Sequence, residues 1–256
     1  IYPWLSLKKK GIRVKFLEPQ SGRVELFQIE KLITERTRLL ALSFVDYLTG
    51  HKRDLREIGK FLRERGIFLS VDAIQGLGAL KLDLTETPID FLASGGTKWL
   101  FSPMGTGILY VRKELLDLLD LPVIGWRGVK NFLDFSHYNM TPKEGARRFE
   151  MDTYNLAGLM GFGASLKLIS DIGIEEIERR VIGLTDLFAD RLNSLKKVKI
   201  LTPRSSEREK SGIVTFKIEG VSSLSLKEKL QKEGITVSER EGWIRVSPHF
   251  YNSEDE

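Results

Sequence analysis

The sequence predicts an α/β fold: a large domain with a mostly parallel sheet, followed by a smaller C-terminal α+β domain. Three observations predict it. In the first half, short apolar runs alternate with amphipathic helical patterns, as in parallel strands joined by crossover helices. Around residues 121–145, two prolines and three glycines interrupt any periodicity, which marks a connector. Beyond it, two long helical patterns lead into strand, helix and strand.

The elements follow in order. Val14–Leu17 reads as a strand, Leu26–Glu35 as a short helix and Leu39–Val45 as a buried strand. Leu55–Arg65 carries Leu55, Ile58, Phe61 and Leu62 on one stripe and stops at Gly66, the pattern of an amphipathic helix with a glycine end. Strands are expected at Phe68–Val71, Asp90–Ala93 and Gly107–Val111, the last pairing either parallel or antiparallel. Helices at Leu156–Ser170 and Ile174–Leu195 precede a strand at Gly212–Ile218, a helix near Leu224–Glu233 and a strand at Trp243–Val246. The division expected is 1–145 for the large domain and 146–256 for the small one.

Composition narrows the function. With 41% hydrophobic and 29% charged residues, the chain suits a packed globular protein rather than a disordered one. No apolar run approaches the roughly 18 residues of a membrane span, so no membrane role is expected. The net charge is +5, but basic residues alternate with acids, as in Lys52-Arg53-Asp54-Leu55-Arg56-Glu57. A nucleic-acid binder gathers its basic residues on one face or tail, so no nucleic-acid partner is expected. The run Lys8-Lys9-Lys10 reads as a solvated turn. There is no cysteine; disulfides, thiolate zinc sites and cysteine nucleophiles are excluded within these residues. That balance suits a reducing compartment, and the cytoplasm is the expected location. His51 and His137 are isolated, and no metal-ligand spacing is visible.

Two residues stand out for chemistry. Asp72 closes the strand Phe68-Leu69-Ser70-Val71, and Lys98 follows the strand Phe91-Leu92-Ala93 through Ser94-Gly95-Gly96-Thr97. Ligands of open α/β sheets bind beyond the carboxyl ends of strands, so an acid and an amine at two such ends can face one crevice. Alone, each has an ordinary explanation: a helix N-cap for Asp72, a solvated lysine for Lys98.

The flanking sequence adds more. Val71-Asp72-Ala73-Ile74-Gln75-Gly76, then Ser94-Gly95-Gly96-Thr97-Lys98-Trp99-Leu100, then Pro103-Met104-Gly105-Thr106-Gly107 resembles the class V aminotransferase family of fold-type I pyridoxal-phosphate (PLP) enzymes, which includes the cysteine desulfurases and isopenicillin-N-epimerase-like proteins. The likeness continues through Arg148–Thr153 and Ile244–Asn252, so it covers almost the whole chain. The resemblance implies that Lys98 forms the Schiff base with PLP and carries protons, and that Asp72 pairs with the ring nitrogen. It implies that Gln75 donates to the phenolic oxygen and that Arg245 holds the substrate carboxylate. Ser94 and Thr97 are implied phosphate contacts, although Thr97 stands where many members have histidine. Thr153 matches a threonine that reaches the partner subunit's phosphate, which implies a homodimer. Asp152 before it replaces the usual glycine, and an acid beside a phosphate is unfavourable unless turned away. His249 and Tyr251 match the family's motif without an assigned contact.

The missing cysteine also bears on the reaction. Cysteine desulfurases of this family carry a catalytic cysteine shortly before the carboxylate-binding arginine, and Val237–Trp243 contains none. The expected activity is therefore an aminotransferase using a small amino acid and a 2-oxo acid, with epimerase or lyase chemistry as the alternative. No phosphate-binding turn or ring-stacking residue is recognisable before Ile1-Tyr2-Pro3-Trp4, so an incomplete chain is expected. Two readings of another class follow: a truncated non-catalytic piece, or a binding module without PLP.

Overall fold

Two four-stranded sheets, joined by a long helix, carry the architecture in the computed structural model, which describes residues 1–256. A short helix α1 (Tyr2–Ser6) opens the chain, and Leu7–Lys10 form a one-turn 3-10 segment capped by Gly11. Val14–Leu17 is not a strand: it runs extended along the surface without a ladder partner. Alternation alone does not make a strand where no neighbour takes up its backbone groups. Helix α2 (Leu26–Leu32) follows, its Glu25 and Gln28 closing a reciprocal cap.

The first sheet orders β1 (Leu39–Ser43), β2 (Phe68–Asp72), β3 (Phe91–Gly95) and β4 (Gly107–Val111) side by side, with β1–β2 and β2–β3 parallel and β3–β4 antiparallel. Helix α3 (Leu55–Arg63) links β1 to β2; Asp54 caps it by accepting the Glu57 N–H at 3.0 Å. Its buried Leu55, Ile58 and Leu62 lie on the sheet face that carries Leu69, Val71 and Leu92. Each such side chain contributes about 1.5–3 kcal/mol by leaving water. The opposite face is covered only at one end, where Leu115, Leu116 and Phe149 meet Phe68, Phe91 and Val111. Further along it, Ala41, Asp72, Ala93 and Leu109 stay exposed.

The connector 112–155 runs through 3-10 turns, as its glycines and prolines foretell. Helices α4 (Leu156–Ile172) and α5 (Ile174–Asn193) come next, bent by 82° at Gly173. No single helix is long and apolar enough to cross a membrane. Phe162, Ile169, Ile177 and Val181 enter the large core, while Leu192 at the far end of α5 enters a second one. That second core lies between α5, α6 (Ser223–Lys232) and one face of an antiparallel sheet ordered β5 (Val198–Ile200), β6 (Val214–Ile218), β8 (Trp243–Val246) and β7 (Ser238–Arg240). The three-residue strands β5 and β7 are not legible as apolar runs. Both are only three residues long, β7 being wholly polar, and are held by their neighbours' ladders.

Candidate active site

Asp72 is the last residue of β2, opposite Ser43 on β1 and Ala93 on β3. Residues in register share a sheet face, so Asp72 stands on the open face, beside Ala93 and Leu109. One carboxylate oxygen accepts the Ile74 N–H at 3.0 Å. The hollow in front of it measures about 450 Å³ and is lined by Asp72, Ile74, Ala93, Gly107, Ile108 and Leu109, among others. Gln75 follows in the turn after β2 and is buried.

Lys98 sits on a turn tied to itself. Gly96 donates to the Thr106 carbonyl (3.0 Å), Ser102 donates to the Gly96 carbonyl (2.9 Å), and Phe101 donates to the Lys98 carbonyl (3.2 Å). A glycine pair such as Gly95-Gly96 can let a ligand approach the backbone closely. At Gly96 the room is already filled: a Cβ there would stand 2.5 Å from Ser102 Cβ. The glycine serves the turn. Trp99, the next residue after Lys98, is buried and packs 4.9 Å from the His249 ring. Lys98 itself stays exposed.

Arg245 comes from the middle of β8. Its Nη1 donates to the Tyr47 carbonyl at 2.8 Å, and its buried Nε has no partner. Burial and the neighbouring Arg240 lower its pKa. The Lys98 amine is lowered too, by desolvation first and the Arg245 guanidinium second; Asp72 opposes this, and Arg240 adds to it. A lysine and two arginines near one acid favour the neutral amine, since like charge disfavours the cation.

The predicted residues do not all converge. Asp72 and Arg245 both stand near enough to Lys98 to act on its amine, and Gln75 lies in the turn after Asp72. Thr97 is exposed beside Lys98. Ser94 is buried within β3, one residue from Ala93; it borders the hollow in front of Asp72, and its hydroxyl donates to the Gly95 carbonyl at 3.1 Å. The strand runs to Gly95, so the turn before Lys98 begins later than the expected end at Ala93. Thr153 lies in the exposed connector before α4, and Asn155 two residues on reaches the Met104 carbonyl at 3.4 Å. Asp152 is held by the Trp126 indole (2.6 Å) and the Thr153 N–H (2.7 Å). Two residues escaped sequence reasoning. Tyr47 supplies the carbonyl under Arg245. Arg240 stands near Lys98, and its signal was Glu241-Gly242, a pair suited to a two-residue hairpin turn.

A family profile described as "Aminotransferase class-V" matches residues 1–255. The chain belongs to that family. Among class-V relatives, a probable cysteine desulfurase of Pyrococcus abyssi is 31% identical over 100% of this chain and 66% of its own length. One from Halalkalibacterium halodurans is also 31% identical, over 93% of this chain and 57% of its own. The chain thus spans about two thirds or less of those relatives. A solved cysteine desulfurase from Thermococcus onnurineus superposes with a TM-score of 0.88 at 29% identity, over 99% of this chain and 66% of its own. A cystine C–S lyase with its cysteine persulfide product gives 0.82 at 26% identity, over 90% of this chain and 61% of its own. The mutant of that lyase with glycine covalently linked to its PLP cofactor gives 0.81 at 25% identity, over 88% and 59%.

Proposed function

We propose that this chain carries PLP on Lys98 and acts at the Cα of a small amino acid, as an aminotransferase that passes the amino group to a 2-oxo acid. The convergence of Asp72, Lys98 and Arg245 from three separate stretches carries the reading. When bound, the cofactor supplies an aldehyde for an amine and a ring that draws electrons from Cα.

The chain's own residues supply the rest. The depressed Lys98 amine is neutral for a larger fraction of the time, which suits it first as nucleophile and then as base. Asp72, exposed at its strand end, offers a carboxylate that keeps a ring nitrogen protonated. Gln75 donates to the ring oxygen, and Thr97 donates to a phosphate oxygen. The free Nε of Arg245 completes a guanidinium fork for the substrate's carboxylate. Thr153 serves the phosphate of a partner subunit, in a homodimer. In this scheme residues 1–145 hold the cofactor and 146–256 bring the substrate arm.

A second reading is carbon–sulfur cleavage, favoured by the names of the relatives. Residues 237–243, where the resemblance calls for a catalytic cysteine, include the tight β7–β8 hairpin with Arg240 opposite Trp243 and no cysteine. On this reading the sulfur would leave to an acceptor outside these residues.

The test is reduction with borohydride after incubation with PLP, then digestion and mass spectrometry. A pyridoxyl label confined to Lys98, and lost in Lys98→Ala, is expected; label scattered over surface lysines, or none, counts against the proposal. Products then separate the readings. Pyruvate from alanine and glyoxylate marks transfer, whereas sulfide from cysteine marks cleavage.

A further inference from the structure

The face of the second sheet that turns away from its apolar core is cationic. Cross-strand partners share a face, and so do alternate residues along a strand. The pairs Thr215↔Arg245, Ser238↔Arg245 and Arg240↔Trp243 therefore place Thr215, Ser238, Arg240, Trp243 and Arg245 together, opposite the face with Val214, Phe216, Ile244 and Val246. This face looks toward the segment after β1: the Thr215 hydroxyl donates to the Leu48 carbonyl (2.5 Å) and Arg245 donates to that of Tyr47.

Arg240 lies two residues from the partner of Arg245, which makes the two arginines diagonal neighbours about 7–8 Å apart at the backbone. Arg240 is exposed, and one of its amines donates to the carbonyl of Glu239 (2.9 Å). The acids beside it are engaged elsewhere. Glu241 accepts from the Tyr47 hydroxyl (2.7 Å), and Glu239 accepts from the Gly242 N–H (2.8 Å). No acid lies within ion-pair distance of either arginine. Two arginine forks, one beside Lys98 and one a diagonal away, match the ends of a short dicarboxylate.

We infer that Arg240 is a specificity-determining residue that receives a second carboxylate, so that the preferred substrates are acidic amino acids and their 2-oxo acids. This rests on reading Arg245 as the anchor for the first carboxylate. A monocarboxylate such as alanine leaves Arg240 unused. A side chain ending in a carboxylate fills it with charge-assisted hydrogen bonds.

The experiment titrates the protein with succinate and with butyrate by calorimetry, which needs no turnover. Succinate is expected to bind tighter, and Arg240→Gln to reduce the succinate-over-butyrate preference about tenfold or more. Arg240→Lys should keep part of it, and Arg245→Gln should weaken both ligands. Lys199→Gln removes an equal charge from an exposed position on the outer strand β5. If it lowers the preference as much as Arg240→Gln, a general field is at work and the inference is overturned. No preference for succinate in protein that takes the pyridoxyl label at Lys98 also overturns it. No succinate binding together with no label at Lys98 instead removes the reading on which it rests.

Discussion

The two sheets present chemistry in different ways. The first places it where strands stop: Asp72 ends β2, and Lys98 stands on a turn beyond β3. The second places it along strands, with Arg245 and Arg240 on one face and an apolar core behind the other. In the first sheet one face is packed by helices and the other is covered at one end, so its crevice opens toward the strand ends. In an antiparallel sheet packed on one side, the whole second face is available. A strand-end residue depends on its turn; a face residue depends on register, because a slip of one position turns it into the core.

The two cores differ accordingly, and the largest effects should test that difference. Leu62 and Ile244 are both fully buried, one in each cluster. Truncation to alanine should cost about 2–5 kcal/mol at either site. Leu62→Ala should raise hydrogen exchange throughout the first sheet and its helices. Ile244→Ala should raise it in β5–β8 alone. Equal spread from both variants would show that the sheets unfold as one unit.

Acid should act next, at the seam. His51 lies beside the Arg23–Glu209 pair, and His249 is stacked between Trp99, Phe101 and Tyr251. Burial pushes both down to about 4; Arg53 adds to this at His51, and a backbone bond with Trp99 opposes it at His249. The unfolded chain takes up those protons near pH 6.5 and the folded chain does not. Stability is therefore flat above that value and falls as pH drops from about 6.5 toward 4, by up to about 2 kcal/mol per histidine at pH 5. Glu209, held at about 2 by its hydrogen bond from Arg23, adds its own loss only below about pH 4.5. Urea midpoints at pH 7.5, 6 and 5 check this, and an unchanged midpoint would count against it. His51→Gln should flatten part of the slope.

Turn dependence predicts a smaller effect. Gly96→Ala sets a Cβ against Ser102 and should cost about 1–3 kcal/mol by overpacking. It should also slow PLP labelling of Lys98, whereas Lys199→Gln should leave the labelling rate unchanged. The smallest change is Tyr47→Phe, which removes one hydrogen bond to Glu241, about 0.5–1.5 kcal/mol. It should be visible in β7–β8 exchange and absent in the first sheet.

The sequence told these regions apart unevenly. Strands of the first sheet and helices α3 to α5 were legible because each carries its own apolar pattern over four residues or more. Trp243–Val246 was found to the residue. Val14–Leu17 misled, since alternation was present but no partner strand was. Strands β5 and β7 were illegible because tertiary pairing, not composition, makes them strands. The same gap hid Arg240, whose placement beside Arg245 exists only once the hairpin register is known. Asp72, Lys98 and Arg245 stood out through their flanking motifs, whereas the end of β3 was not readable: the strand runs two residues past Ala93, to Gly95.

Arg245 leans on the Tyr47 carbonyl, which belongs to the main chain. An alanine scan would pass over this restraint, since every amino acid at position 47 carries the same oxygen. The side chain there has a separate task, holding Glu241 through its hydroxyl, so replacing it would alter the acid beside Arg240 and leave the anchor beneath Arg245 in place.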